Sequence, residues 1–309
     1  MTRFIIIRLL QSFIALVGIA VLIFLLVRTA GDPLELMKNP NMTEEQFEFL
    51  KIKLGLDKSL PEQFWIYMGD LATGDLGNSL LRQRPIIDMI GESLPNTLRL
   101  TIPSFFIGTT LAIFLGMMAA TRRDSFWDQG VKFIAVLGQS LPGFWVAIMA
   151  ILVFTVYWPI LPVPSGMDRT LAHYVLPVGT MVFFTLPFTM RLVRSSMLDV
   201  LDSEYIKLAR IKGLPERAVI WKHGFRNAMI APLTTIGLFI PMLVMGAVIT
   251  ETIFNWPGMG RMIVESTFAR DFTIVQSITI LTAVLVLSIN LLVDISYAYV
   301  DPQIRYQRI

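Results

Sequence analysis

Apolar runs of about 20 residues recur along this chain, and a helix needs about that length to cross a bilayer. Hydrophobic residues make up 54% of the 309 residues, and charged residues only 16%. This composition is typical of a polytopic membrane protein rather than a soluble domain. The runs predict an all-α protein with six membrane-spanning helices, at Leu9–Val27, Leu98–Ala120, Val131–Trp158, Tyr174–Leu192, Met229–Thr252 and Ile274–Tyr299.

The first run follows Arg3 and Arg8 and could be a cleaved signal peptide. It is longer than the usual apolar core of about 7–15 residues, and no small-x-small cleavage site follows it, so an uncleaved helix is favoured. Because Lys and Arg concentrate on inner loops, both termini are predicted to be cytoplasmic. We therefore expect residues 1–28 to form the first span, 29–96 an external helical region and 97–309 the core with the remaining helices.

The external region has its own helix signals. Thr43-Glu44-Glu45-Gln46 is a capping box, and Gly55 can end the helix that it starts. A second amphipathic segment from Pro61 through Leu71 is predicted to follow. After it we expect a turn at Gly74-Asp75-Leu76-Gly77 and a third short helix at Pro85–Leu94, lying along the membrane surface. This region is either a docking surface for an external partner or a packed lid that stabilises the membrane helices.

Residues 190–232, here called the coupling loop, form the longest polar interval in the second half of the chain. Their surplus of Lys and Arg predicts a cytoplasmic position. Within the loop, Ser203 to Lys212 reads as a short helix with Ser203 as N-cap, and Gly213 supplies a stop with positive φ. A second helix is expected from Pro215 or Glu216 to about Asn227. The pair is either a rigid knob that passes force from a soluble motor to the membrane helices, or an ordinary solvated basic loop.

The residues offer no catalytic machinery. The chain contains no G-x-x-x-x-G-K-[ST] loop for nucleotide phosphates, no H-E-x-x-H and no G-x-S-x-G turn. Cysteine is absent, and the only histidines, His173 and His223, lie far apart in sequence. The net charge of +3 is explained by the inner loops, and no nucleic-acid-binding motif is present. Energy for any uphill transport must therefore come from another chain.

Two other classes of function compete at this point. A proton-driven secondary carrier acting alone would need carboxylates in the middle of its spans, and Glu251 and Asp294 lie near helix ends. A membrane scaffold without transport would not need the prolines that interrupt the third to fifth spans, such as Pro142, since broken helices usually line cavities. The third span is predicted to kink at Pro142-Gly143.

Several long motifs, in the same order, resemble one family. They are Gly74-Asp75-Leu76-Gly77, Arg194-Ser195-Ser196-Met197-Leu198 through Ala209-Arg210-Ile211-Lys212-Gly213, His223 with Arg226-Asn227-Ala228, Glu251 through Arg261, and Leu292-Val293-Asp294 to Asp301-Pro302-Gln303-Ile304-Arg305-Tyr306. The chain resembles, nearly end to end, the permease subunit of ATP-binding-cassette (ABC) importers of the dipeptide/oligopeptide/nickel type. The resemblance implies the type I ABC importer permease fold, with a small helical external insertion between the first two spans.

The family's cytoplasmic "EAA…G" signature docks into a cleft on the ATPase, and Ala209 and Gly213 match its last alanine and its glycine. Lys207 and Leu208 stand where the first Glu and Ala would be. The resemblance implies a coupling helix, residues 203–213, seated in the ATPase groove. The ATPase-coupling residues are then Glu204, Tyr205, Lys207, Ala209, Arg210, Lys212, Gly213, Leu214, His223 and Arg226. We further hypothesise an external gate or receptor contact at Glu251, Phe254, Asn255, Trp256, Pro257, Gly258, Gly260 and Arg261.

The resemblance also implies the partners. A second homologous permease subunit would complete the pore, two ABC ATPase subunits would use ATP and Mg, and an extracytoplasmic solute-binding protein would deliver the solute. This chain would bind no cofactor, metal or nucleic acid and would lie among the lipids of the bacterial inner membrane. Peptides are the leading cargo, with nickel chelates, glutathione, oligosaccharides and opines as alternatives.

Overall fold

The computed structural model describes residues 2–29, 43–53, 55–162 and 170–300. Within these ranges all regular secondary structure is helical. The one β-type pairing is an isolated antiparallel bridge between Asn78 and Pro85. The all-α prediction is therefore confirmed. The motif residues from Asp301 onward lie outside the described residues.

The helices are, in chain order, α1 (Thr2–Thr29), α2 (Glu44–Lys53), α3 (Leu60–Thr73), α4 (Ile86–Thr121), α5 (Phe126–Ser140), α6 (Gly143–Ile151), α7 (Leu171–Leu201), α8 (Glu204–Ile211), α9 (Glu216–Ala218), α10 (Arg226–Ala228), α11 (Ile230–Ile253), α12 (Met259–Phe268) and α13 (Phe272–Val300). Two π-helical segments, Leu152–Tyr157 after α6 and Val219–Phe225 between α9 and α10, complete the set. In the part of the chain that the structure describes, α1, α4, α7, α11 and α13 are long and apolar enough to cross a membrane, and α5 with α6 adds a sixth span if counted as one. All six predicted runs fall on these elements, whereas the cytoplasmic position of the termini stays a prediction.

The third span is broken rather than kinked. Helix α5 ends at Ser140, α6 begins at Gly143, and the two are bent by 101°. Pro142 has no N–H and disfavours a helical conformation in the residue before it. Leu141 accordingly takes the extended values φ −94° and ψ 128°. The predicted kink is at the right place but is far larger than expected.

Three predicted boundaries are wrong. The short surface helix at Pro85–Leu94 is not separate, because α4 continues unbroken through Pro95 to Thr121. The fourth span was expected to end at Leu192, but α7 runs to Leu201 and so includes the first part of the coupling loop. The irregular outer turn ends at Gly258, and Gly260 and Arg261 lie in α12. In the first two cases the local sequence marked a proline-containing or polar break that the helix crosses, and in the third case α12 begins inside the predicted turn.

The described residues form two compact units. The larger unit contains Thr97–Trp256 and the chain from Ile289, and its core surrounds α7. Buried residues of α7 meet buried residues of its neighbours in this core: Val178, Met181, Val182, Leu186 and Met190 pack with Ala112, Ala119, Val131, Ala135, Leu243 and Ala247. Helix α7 is thus the element around which the larger unit is packed.

The smaller unit contains Thr2–Asn96 and Pro257–Ser288. Its core brings together the first turns of α4, the apolar side of α12 and the start of α13: Ile86, Met89, Ile90, Met259, Met262, Ile274 and Ile278. This packing explains why Pro85–Leu94 does not form a separate surface helix, since its apolar side is covered by protein. The assignment of residues 29–96 to the outer side stays a prediction.

Candidate functional site

The coupling helix begins where it was expected. Ser203 precedes α8 and has extended backbone angles, φ −71° and ψ 152°, which are those of an N-cap. Its hydroxyl, however, does not cap α8; it donates to the Val200 carbonyl oxygen at 2.5 Å, in the last turn of α7. The position of the N-cap is therefore confirmed, and its side chain instead ties α8 to the end of α7.

One face of α8 is buried against α7 and the π-helical segment. Ile206 and Ala209 are buried in a cluster with Met197 and Leu201 of α7 and with Val219 of the π-helical segment. Burial of these apolar side chains holds α8 against α7. Ala209 matches the family signature, yet its side chain lies in this buried cluster, where it packs α8 against the rest of the larger unit.

The opposite face of α8 is apolar and basic. Leu208 is 51% exposed and Ile211 is 81% exposed, on the side of the helix away from Ile206. Lys207 is exposed beside them and bonds to Glu204 at 2.8 Å, and this hydrogen bond raises the pKa of the lysine above its ordinary value. We call the exposed residues Glu204, Tyr205, Lys207, Leu208, Ile211 and Lys212 the outer face of α8.

Leu208 and Ile211 were not among the predicted contact residues, because charge and the family signature mark other positions of the loop. A signal was present, since their spacing from Ile206 and Ala209 puts them on the opposite side of a 3.6-residue helix. Helix α8 thus has apolar residues on two opposite sides, and only the side with Ile206 and Ala209 is covered by the described part of this chain. The exposed side is suited to contact with a second surface.

A tight turn follows α8 at Gly213. Its φ of +75° is in the left-handed region, as predicted, and its N–H donates to the Arg210 carbonyl oxygen at 2.9 Å. Arg210 closes the turn from outside: Nε and Nη2 donate to the Glu216 carboxylate at 3.2 and 2.9 Å. Chiefly through this hydrogen bond, Arg210 holds the pKa of Glu216 below its ordinary value. The side chain of Leu214 is exposed beside the turn.

The second predicted helix is present as one continuous helical stretch, with a π-helical middle at Val219–Phe225. Gly224 is buried there, and a Cβ at this position would lie 3.3 Å from the Val219 carbonyl oxygen and 3.4 Å from a Leu201 methyl group. Such π-helical turns are frequent at functional sites. Of the predicted coupling residues here, His223 is half-buried and Arg226 is exposed. Trp221, which the sequence did not single out, is 53% exposed.

The predicted gate residues of the larger unit are mostly buried. Glu251, Phe254 and Trp256 are each no more than 1% exposed, and only Asn255 among these four is exposed. Trp256 packs edge-to-face against Tyr174 of α7 with the ring centroids 4.8 Å apart. These three residues therefore belong to the core in this conformation rather than to a surface.

The remaining gate residues lie in the smaller unit. The Pro257 carbonyl oxygen accepts a hydrogen bond from the Asn96 side chain at 2.9 Å, and Gly258 is the N-cap of α12. Gly260 is buried, whereas Arg261 is half-buried and donates to Glu265 at 2.6 Å. The structure thus divides the eight predicted gate residues between two units, and their gating role stays a prediction.

Among the described residues no group of three or more His, Asp or Glu side chains could hold a metal ion. The chemistry that the outer face of α8 offers is association: an apolar centre with basic side chains beside it. Such surfaces are typical of contacts with another protein.

Known proteins match nearly the whole chain. Residues 112–306 match the family model of the binding-protein-dependent transport system inner membrane component, and residues 1–101 match the model of its N-terminal part. The chain is 37% identical over 320 residues to the oligopeptide transport system permease protein AppB of Bacillus subtilis, covering 99% of this chain and 100% of the relative. It is 38% identical over 308 residues to the glutathione transport system permease protein GsiC of Escherichia coli K12, with the same coverage.

A solved structure described as an amino acid ABC transporter with histidines matches with a TM-score of 0.56 at 15% identity. The match covers 69% of this chain and 94% of that chain. This likeness supports the predicted fold.

Proposed function

Because the chain belongs to the family of binding-protein-dependent transport system inner membrane components, we propose that it forms half of the translocation pore of an ATP-driven importer. It is a permease subunit of the bacterial inner membrane and has no catalytic role. A second homologous permease subunit would complete the pore, and two ABC ATPase subunits would supply the energy through ATP and Mg. An extracytoplasmic solute-binding protein would deliver the solute.

This proposal depends on one observation: one side of α8 is buried against α7, and the opposite side is exposed. Ile206 and Ala209 fix it to α7, while Leu208 and Ile211 remain uncovered. A free apolar surface of this kind, on a basic loop that we predict to lie on the inner side, favours contact with a protein partner. An ATPase subunit that gripped the outer face of α8 would move α7 with it, because the two helices share a buried core.

The coupling residues then have distinct roles. Tyr205, Leu208 and Ile211 would supply the apolar contact, and Lys207 and Lys212 the charges at its rim. Gly213 and the Arg210–Glu216 pair would keep the turn after α8 in shape, and Leu214, His223 and Arg226 would extend the contact along the second helix. Closure of the ATPases on ATP would swing α8, and the attached membrane helices would follow in a hinge-type transition.

We propose peptides or small peptide-like solutes as the cargo. The support is that the two full-length relatives are named for oligopeptide and glutathione transport, and glutathione is itself a small peptide. Selection of the exact solute is expected to reside in the solute-binding protein. Ligand binding by the purified receptor of the same system would test this.

The central experiment reconstitutes the chain with its sister permease and ATPases in liposomes. We expect Ile211→Glu to abolish ATPase binding and ATP-driven uptake, since a buried carboxylate would replace an apolar contact. The control is Ile52→Glu, which changes an isoleucine of α2 that is 61% exposed. Normal ATPase binding by Ile211→Glu, or proton-driven uptake by this chain alone, would refute the proposal.

A further inference from the structure

Asp128, which the sequence did not single out, carries a fully buried carboxylate in the first turn of α5. Arg194 of α7 holds it with two bonds, Nε to Oδ1 at 2.5 Å and Nη2 to Oδ2 at 2.9 Å. Lys132 adds a contact at 2.9 Å, and the backbone N–H of Asp124 donates to Oδ2 at 3.1 Å. The carboxylate is thus held from three directions.

The bonds of Asp128 join three pieces of chain. Asp124 belongs to the turn between α4 and α5 and has a φ of +61°, which is unusual for a residue other than glycine. Asp128 and Lys132 are on α5, and Arg194 is on α7. The pair therefore ties the turn and α5 to α7 at a single buried point.

Arg194 lies next to the residues of α7 that pack against the coupling helix. Val193, which precedes it on α7, and Met197, about one turn further along, are fully buried in the cluster that also holds Ile206 and Ala209 of α8. A displacement of α8 is therefore passed to α7 within two turns of Arg194. From there the paired carboxylate is the polar link to α5.

A second pair in the same region provides a contrast. Arg123, in the same turn as Asp124, contacts Asp202 at the end of α7 at 3.6 Å, and the two side chains are 60% and 73% exposed. Exposed pairs of this kind are weak and easily broken. The Asp128–Arg194 pair has the opposite character, because its carboxylate is buried and the two-pronged contact with the arginine has a fixed geometry.

We propose that Asp128 and Arg194 are positioning residues that make α5 move together with α7 when the coupling helix moves. This inference rests on the proposed function and deepens it. Helix α5 would carry the displacement from Asp128 to the break at Leu141 and Pro142, about 20 Å away. The bend of 101° there would change its angle, and α6 would be redirected.

The test measures solute uptake and ATP hydrolysis on the same assembled complexes in liposomes. Asp128→Asn keeps the size of the side chain and removes the charge, and Arg194→Lys keeps the charge and removes the two-pronged geometry. We expect uptake per ATP hydrolysed to fall about tenfold in Asp128→Asn, within the usual range for coupling between distant sites, and by less in Arg194→Lys. Asp202→Asn is the matched control and should keep the wild-type ratio.

A rescue separates a mechanical link from simple stabilisation. The chain contains no cysteine, so in Asp128→Cys/Arg194→Cys only the introduced thiols of this subunit react. We expect this variant to be uncoupled when reduced and to regain most of the wild-type ratio when a short bis-maleimide bridges the two thiols.

Wild-type ratios in both Asp128→Asn and Arg194→Lys would overturn the inference. If Asp128→Asn fails to assemble, Arg194→Lys and the bridged cysteine pair decide, and no recovery on bridging overturns it as well. A wild-type complex without ATP-driven uptake would refute the proposed function itself, and this inference with it.

Discussion

Gly138 of α5 lies so close to Pro187 of α7 that a Cβ at position 138 would stand 2.1 Å from the proline Cγ. Helix α4 approaches α7 in the same way, since a Cβ at Gly116 would lie 2.6 Å from the Met190 carbonyl oxygen. Small residues at such crossings let helix backbones come close, which is a common mode of packing between membrane helices. Helix α7 is therefore held by two neighbours at points that leave no room for a methyl group.

Gly138→Ala is expected to destabilise the protein by about 1–3 kcal/mol, because the added methyl group forces α5 and α7 apart. The control is Gly130→Ala on the same helix, where the added Cβ meets no atom within 4 Å. That change should be neutral or stabilising by about 0.5–1 kcal/mol, since alanine favours helix more than glycine does. Thermal unfolding in detergent measures both, and equal stability of the two variants would contradict the packing argument.

Gly213→Val is expected to uncouple uptake from ATP hydrolysis while leaving expression intact. A Cβ at this position would meet no atom within 4 Å, so any effect must come from the backbone. A φ of +75° disfavours a β-branched residue by about 1–2 kcal/mol or more, whereas asparagine tolerates it. Gly213→Asn should therefore remain coupled. Wild-type uptake in Gly213→Val would refute the role of this turn.

The Arg210–Glu216 pair predicts a defined pH dependence. Arg210 keeps its charge throughout the range, and the pKa of Glu216 is lowered in the folded state. The pair thus contributes stability above the ordinary carboxyl pKa of 4.5, and this contribution is lost as the pH falls through the lowered value. Both side chains are more than one-third exposed, so the contribution is expected to be below about 1 kcal/mol.

Glu216→Gln should accordingly be slightly less stable than the wild type at pH 7. The difference should shrink as the pH falls below 4.5 and vanish once the pH is below the lowered pKa of Glu216. Melting temperatures at a series of pH values measure this. A difference that grew towards low pH would show that the sign is wrong.

Asp271 is expected to anchor the loop at residues 77–85 in the smaller unit. Its buried carboxylate accepts hydrogen bonds from the Ser79 hydroxyl at 2.6 Å and from the Leu81 N–H at 3.3 Å. Hydrogen bonds to a charged group contribute about 1.5–3 kcal/mol. Asp271→Ala should therefore open the loop and speed tryptic cleavage after Arg82 about tenfold or more.

Ser79→Ala is the graded control, because it removes the two hydrogen bonds of the Ser79 hydroxyl, to Asp271 and from the Arg82 N–H, and leaves the bond from the Leu81 N–H to Asp271. Its cleavage rate should fall between those of the wild type and Asp271→Ala. Unchanged cleavage in Asp271→Ala would show that the loop is held by other contacts.

Hydropathy and helix-capping residues correctly predicted those elements that depend only on a few neighbouring residues. Hydropathy located the candidate spans of the described residues, and Ser203 and Gly213 marked the two ends of the coupling helix to within two residues. The same reasoning failed at Leu192, because the polar residues after it gave no sign that Val193, Met197 and Leu201 are buried. Burial against other helices extended α7 beyond its apolar run.

At the candidate site, too, local sequence signals predicted some features, and others depended on packing between helices. The sequence identified the charged residues of the coupling loop and its glycine, yet it did not show which side of α8 faces outward. The hypothesis of an outer gate also could not reveal that Phe254 and Trp256 are core residues. Which residues are covered depends on neighbours from distant parts of the chain.

By itself the sequence determined that this chain lies in a membrane, where its spans run and where its coupling helix starts and stops, since hydropathy, helix capping and glycine turns act over a few residues. Only the tertiary structure decided that Leu208 and Ile211 face outward and that Asp128 meets Arg194, a residue 66 positions away. The physical reason is that burial and ion pairing depend on which helices become neighbours, and no short stretch of sequence contains that information.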